Sequence, residues 1–372
     1  MRKNRKQALK IGVLTFFNYC NFGAALQSYA LYRVLRQLGE QVEYLDYTCP
    51  FIGNPYTLKS LKKRGLWGFI YTVAGRFFYA PRKRLFAAFR KKIPHTEPLD
   101  PGNIGKYGDR YDLYITGSDQ LWNAELTDFD KTYFLDFVKD PRKKYSYAVS
   151  FGGKELKEED KAGYRRLLSD FAGISVREEY GKELVESLTG KEAAVLPDPT
   201  MLLTGEQWKK VASPKKSGKS YILAYQMGFT RSLIDAVKRA ADQFRLPVSY
   251  IPFPLGGFVP GRYHLRLGPR QWLAQFRDAS YIVTDSFHGI VFAILFEKPF
   301  AAVVDGQHKN QRAISLLTHL GLTDRIVQDG RIPDPEKEID YGPVRQILHA
   351  DRKAALSWLN AVLDCRKRGE NG

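Results

Sequence analysis

KIGVLTF at 10–16, the turn-prone NYCNFG at 18–23, AALQSYALYRVLRQLGE at 24–40 and QVEYLDY at 41–47 decide how this chain folds. The first run is apolar and suits a buried strand. In the third, Leu31, Val34, Leu35 and Leu38 fall at i, i+3, i+4 and i+7, which is one apolar stripe of a helix. Gly39 closes that helix, and the fourth run is a second strand. Strand, loop, helix and strand in that order make the repeating unit of a parallel α/β sheet.

The same grammar continues outward. Strands are expected in YDLYITG (111–117), KYSYAVSFG (144–152), GISVRE (173–178) and AAVLPD (193–198), with helices in DKAGYRRLLSDFA (160–172) and EEYGKELVESLTG (178–190). At about 204–219 the stretch TGEQWKKVASPKKSGKS reads as a seam between domains, rich in Gly, Pro, Ser and Lys. The pattern then restarts with strands in YILAYQMG (221–228), PVSYIPF (247–253), SYIVTDS (280–286) and PFAAVV (299–304). Helices are expected in SLIDAVKRAADQF, GPRQWLAQFRDA, HGIVFAILFEK and NQRAISLLTHLG. A long amphipathic stretch from Val344 closes the chain. At 372 residues two domains are expected. The economical reading is two doubly wound, Rossmann-like parallel-sheet halves facing across a cleft, covering 1–204 and 219–345, with 346–372 packing back as a helix.

Charge is uneven. Fifty-eight Lys and Arg against forty Asp and Glu give +18, and sixteen of those charges lie in two acid-free segments, residues 1–10 and 51–96. Within the second, a helical insertion at about 55–95, residues 58–92 interleave Leu, Trp, Phe, Ile and Tyr with Lys and Arg. That composition suits helices drawn to an anionic membrane surface. It equally suits helices that bury their aromatics on the core and leave a solvated basic face. No nucleic-acid motif accompanies the charge, so nucleic acid is not the expected partner.

Other classes are disfavoured. No apolar run reaches the ~18 residues of a membrane span. The basic, then apolar N-terminus is broken at Asn18 without a small-residue cleavage site, and reads as a tail feeding the first strand. Cys20, Cys49 and Cys365 share no CxxC spacing, which fits a reducing cytoplasm. There is no HExxH, DxD, GxGxxG or Walker loop, so neither a metal nor a nucleotide cofactor is expected.

Four loops leave strands carrying chemistry. In NYCNFGA, Asn21 and Gly23 suit a close backbone turn, with or without a ligand. In GSDQLWN (117–123), Asp119 can take a proton from a sugar hydroxyl and Trp122 can stack on a sugar; alternatively Ser118 or Asp119 caps a helix and Trp122 joins the core. Arg177, ending a strand, offers a fork to a carboxylate or phosphate, or pairs with a neighbouring acid. TDSFHGI (284–290) is the sharpest: Ser286 offers a hydroxyl and N–H to an anion, Gly289 lets a ligand approach, and His288 is a general acid suited to neutral pH.

Taken in order, IGVLTFFNYCNFGAALQSYAL, YITGSDQLWN, YSYAVSFG, ISVREEYG, LPDPTMLL and SFHGIVFAILFEKPF resemble the polysaccharide pyruvyl transferase family, over about 11–325. The resemblance implies a GT-B-like fold with an N-terminal acceptor side and a C-terminal donor side. It implies transfer of the enolpyruvyl unit of phosphoenolpyruvate onto two hydroxyls of a glycan, forming a pyruvate ketal in cell-surface polysaccharide. The implied donor residues are Arg177, Ser286, Phe287, His288 and Gly289, with Lys309 or Arg312 making up for the serine that stands at 286 in place of the family's arginine. Asn21, Gly23, Ser118, Trp122 and Asn123 would position the acceptor, with His288 as acid and Asp119 as base. A lipid-linked acceptor would place the protein in the cytoplasm, at the inner face of the plasma membrane, held there through residues 58–92. The alternatives are a GT-B glycosyltransferase using a nucleotide sugar, and a non-catalytic glycan- or membrane-binding relative.

Overall fold

The computed structural model describes residues 8–52, 81–152, 155–215, 218–228, 231–252, 257–304, 311–328, 331–333 and 337–369. The chain forms two compact units, the first drawn from residues 1–60, 90–202 and 350–372, the second from 61–89 and 203–349. The boundary falls at 202/203, ahead of the expected seam. Within that seam Gly205–Val211 is a helix of the second unit, started by a Thr204–Gln207 capping box.

In the first unit, strands β1 (Lys10–Leu14), β2 (Gln41–Leu45), β3 (Leu113–Thr116) and β4 (Lys144–Ser146) form a parallel sheet in the order β2-β1-β3-β4. Strands β5 (Ile174–Val176) and β6 (Ala193–Val195) pair in parallel beside it. Backbone bonds such as Ser146 N–H to the Gly173 carbonyl join β4 to β5, and side chains reinforce them. Ser146 Oγ donates to the Ser175 carbonyl, and Ser175 Oγ accepts the Ala148 N–H. The order reverses between β1 and β3, and the carboxyl ends of those two strands therefore border a crevice where α/β sheets bind ligands.

The second unit holds β7 (Ile222–Tyr225), β8 (Val248–Ile251), β9 (Arg262–Tyr263), β10 (Tyr281–Thr284) and β11 (Phe300–Ala302), parallel throughout in the order β11-β10-β7-β8-β9. Here the reversal lies between β7 and β10. Buried Leu, Ile, Val and Phe side chains give each unit its own core. The last helix, Tyr341–Arg368, begins in the second unit and ends in the first. There it is fixed by Arg352 Nε to the Met201 carbonyl and by the Lys367 ammonium on the buried Glu40 carboxylate.

The basic aromatic insertion expected at 55–95 lies largely outside the described residues. Its described part is helical over 81–90. Phe86 and Phe89 are buried, while Lys83, Arg84, Lys91 and Lys92 are exposed. That stretch thus puts its aromatics on the core and these four cations in water, while Arg82 and Arg90 lie over the Phe86 and Phe17 rings. The described residues 81–89 also group with the second unit, whereas the contiguous domain 1–204 put them in the first. Among the described residues no helix is long and apolar enough to cross a membrane.

Candidate functional site

Two polar clusters occupy the two points of strand-order reversal. In the first unit, the helix Phe22–Gln37 starts at Asn21, whose side chain accepts the Ala24 N–H at 3.1 Å. Gly23 is buried in that first turn. One turn on, Gln27 points back under the sheet edge, donating to Thr15 Oγ1 at 2.8 Å and accepting the Ser118 N–H at 3.3 Å. Thr15 Oγ1 donates to the Ser118 carbonyl at 2.9 Å. Ser118 Oγ donates to the Ala148 carbonyl and accepts from Arg177 Nη2, both at 2.6 Å. The same guanidinium nitrogen lies 2.9 Å from Asp198 Oδ2, and Asp198 Oδ1 accepts both the N–H and the hydroxyl of Thr200.

Arg177 therefore has an acid partner, Asp198, which the sequence motif LPDPTMLL contains but whose role its spacing did not reveal. Asp119, next to Ser118, has φ +86° and accepts the Gln120 N–H on Oδ1. Its side chain is largely buried. Trp122 is a correction to the expected sugar platform. Its ring is fully buried, stacked on Phe134 at 5.4 Å and 9°, with Phe151 and Phe171 against its other sides. Its indole N–H is taken by the Tyr133 carbonyl. No face remains for a sugar. Asn123 caps a short helix by accepting the Glu125 N–H, and its amide donates to Gln120. Gly152 (φ +87°) leaves room for that amide, since a Cβ there would lie 2.3 Å from Asn123 Nδ2.

In the second unit β10 runs into Thr284, whose hydroxyl donates to the Tyr225 carbonyl of β7 and accepts the Ser286 N–H. Ser286 caps the helix Phe287–Leu295 by accepting the Gly289 N–H at 3.3 Å. Gly289 has a different purpose from the one expected. A Cβ there would meet Thr284 Oγ1 at 2.4 Å, so glycine lets the helix close onto the strand rather than admitting a ligand. His288 lies in the first turn of that helix, 9% exposed. Arg312, from the helix Gln311–His319, holds its guanidinium carbon 5.6 Å from the centre of the Phe287 ring. Lys309 lies outside the described residues.

Sequence reading passed over two neighbours. Asp285 accepts the N–H groups of Met227 and Gly228 on its two oxygens, tying the end of β7 to the end of β10. Tyr225 ends β7 buried, its hydroxyl donating to Met227 Sδ at 2.9 Å and its pKa pushed well up by burial. The motif TDSFHGI contains the aspartate, but nothing in its spacing shows which backbone it holds. The structure thus gathers Ser286, Phe287, His288, Gly289 and Arg312 in one unit, and Ser118, Asp119 and Arg177 in the other. Among the described residues no group of three or more His, Cys, Asp or Glu is placed to hold a metal ion.

Solved structures with the same fold carry no close sequence relationship. The Listeria monocytogenes protein assigned as a UDP-N-acetylglucosamine 2-epimerase matches at 10% identity and a TM-score of 0.53, covering 94% of this chain and 90% of its own. The UDP-GlcNAc 2-epimerase of Methanocaldococcus jannaschii matches at 11% identity and 0.50, covering 92% of each chain. These likenesses are of fold alone and place the chain in the GT-B-like α/β class. No curated protein matches the sequence. The family model for polysaccharide pyruvyl transferases, in contrast, matches residues 21–306, a span that takes in Ser118, Asp119, Arg177, Ser286 and His288 and ends before Arg312. By that match the chain belongs to the polysaccharide pyruvyl transferase family.

Proposed function

We propose that this protein transfers the enolpyruvyl unit of phosphoenolpyruvate onto two hydroxyls of one sugar in a polysaccharide precursor, closing a pyruvate ketal. The observation that carries the reading is the placing of Ser286 and His288 at the strand-order reversal of the second unit, inside the span of the family match, with Arg312 over the neighbouring Phe287. The donor has a carboxylate and a phosphate, which the Arg312 guanidinium over Phe287 and the imidazole of the adjoining His288 would answer.

In this reading the His288 imidazolium gives its proton to C3 of the enol, leaving C2 electrophilic. A sugar hydroxyl adds to C2 and gives its proton up to water. The C2–O bond to phosphate then breaks, phosphate departs with that electron pair, and a second hydroxyl of the same sugar adds to C2 and loses its proton. The products are the ketal and inorganic phosphate, and no oxidant or metal enters the balance. Arg177 is given a supporting part, holding Ser118 and Asp198 at the end of β5 next to Asp119. A positioned acid is worth ~10²–10⁴-fold in rate. His288→Ala should therefore retain phosphoenolpyruvate binding and lose turnover by that factor, measured as phosphate release in the presence of acceptor glycan. Undiminished turnover would overturn the role given to His288.

A further inference from the structure

Among the described residues of the second unit, three large apolar side chains are exposed: Met227 (39%), Phe258 (73%) and Tyr263 (37%). They are not scattered. Met227 follows the carboxyl end of β7, Phe258 lies on the connection that leaves β8, and Tyr263 ends β9, which pairs with β8. All three therefore sit at the edge of the sheet where α/β units take their ligands. Printed contacts run from one to the next. Asp285, the residue before Ser286, accepts the Met227 N–H at 2.6 Å. Gln226, next to Met227, accepts from the Tyr250 hydroxyl, and the Tyr250 ring stands edge-on to Tyr263 at 5.2 Å. The Tyr263 and Phe258 rings lie within 26° of parallel, with centres 6.3 Å apart. Buried groups hold these rings in place. The Tyr263 hydroxyl accepts the N–H of buried Val259 at 3.0 Å, and a Cβ on Gly261 would lie 2.5 Å from the Val248 carbonyl oxygen.

We propose that Met227, Phe258 and Tyr263 form a docking edge for a pyranose ring, the acceptor sugar, continuous with the turn that carries Ser286 and His288. A pyranose has a face made largely of C–H groups, which packs on aromatic rings and on a thioether, while its hydroxyls stand around the rim. This edge rests on the donor reading above. Two hydroxyls of one sugar must reach C2 of a donor held at Ser286 and His288, so the sugar lies against what adjoins that turn. Through Asp285, what adjoins it is Met227. A sugar held by its C–H face leaves its hydroxyls open to reaction. Trp122, the ring expected to stack on a sugar, is enclosed in the core of the first unit, whereas these three side chains are exposed.

The chain has three methionines, Met1, Met201 and Met227, and Met201 is buried. NMR of the full-length protein, isotopically labelled at its methionine methyl groups, therefore gives few signals, and Met227→Leu identifies the one from Met227. The probes are the methyl glycosides of glucose, galactose, mannose and N-acetylglucosamine, titrated with and without phosphoenolpyruvate. At least one should move the Met227 signal saturably and leave Met201 in place. A ring contact is worth ~2–10-fold in affinity. Phe258→Ala and Tyr263→Ala should each weaken that glycoside by about this factor, and Leu126→Ala, which removes an exposed side chain of the first unit, should not. Thermal melts confirm folding; should Tyr263→Ala not fold, Phe258→Ala carries the comparison, since that ring is the most exposed of the three. The docking edge is overturned if no glycoside moves Met227, or if affinity is undiminished in the ring variants. It is also overturned if Met227 responds only to phosphatidylglycerol vesicles or to rising protein concentration, which would assign the edge to lipid or to a second copy. Glycoside binding here in a protein that does not bind phosphoenolpyruvate leaves the edge standing and removes the donor reading. Phosphoenolpyruvate binding with no glycoside response removes the edge alone.

Discussion

Arg177 Nη2 lies 2.9 Å from Asp198 Oδ2, and the two side chains are 4% and 0% exposed. A charge removed from water to that degree is tolerated only beside an opposite one, and Thr200 and Ser118 add hydrogen bonds to the pair. The pair joins the loop after β6 to the ends of β5 and β3, and thereby fixes the backbone beside Asp119.

Removing one partner should be costly. Asp198→Ala leaves the Arg177 guanidinium buried without its acid, a loss of about 3–5 kcal/mol in chemical denaturation. The double variant Asp198→Ala, Arg177→Met should recover part of that loss, because both charges are then gone. Strict additivity of the two single effects would contradict a coupled pair.

Trp122 should behave as core and not as a sugar contact. Trp122→Ala is expected to lower stability by about 3–5 kcal/mol, and Trp122→Phe by less, since Phe134, Phe151 and Phe171 still enclose a smaller ring. A folded Trp122→Ala protein of parental stability, altered only in its affinity for acceptor, would contradict the placement.

His264 provides a pH test. Burial, followed by the charge of Arg262, lowers its pKa below 6.5, and its Nε2 lies 2.7 Å from Ser249 Oγ. In the unfolded chain the imidazole takes up a proton near pH 6.5, whereas the folded protein resists it. The unfolded state therefore binds more protons in that window. Stability from this group is present above about pH 6.5 and is lost as pH falls through the folded pKa. The difference in stability between the parent and His264→Gln should shrink from pH 7.5 toward pH 5, both numbers being about the range a histidine spans. A difference independent of pH would contradict it.

The fold was readable from hydrophobic periodicity, because parallel strands buried on both faces and helices with one apolar stripe leave unambiguous patterns. That is why KIGVLTF and SYIVTDS fall on β1 and β10. The two-residue strand β9 has no such pattern, and its exposed residues pair with β8 only through tertiary position. The helix Gly205–Val211 was obscured by the Lys- and Pro-rich residues that follow it. Within the site, Ser286 as a cap and His288 at a helix start follow from local sequence. Asp198 opposite Arg177 is a long-range partnership, and no spacing rule reports it. Trp122 shows the complementary error: an aromatic beside a polar loop is equally at home in a sugar site or in a core, and only packing decides.

The account turns on the identity of the donor, and ligand titration tests that most directly. Isothermal calorimetry of the full-length protein with phosphoenolpyruvate and, separately, with UDP should show saturable binding of phosphoenolpyruvate that is preserved in His288→Ala. UDP should show none. Tight UDP binding with no heat from phosphoenolpyruvate would contradict the pyruvyl-transfer account and favour a nucleotide-sugar donor in its place.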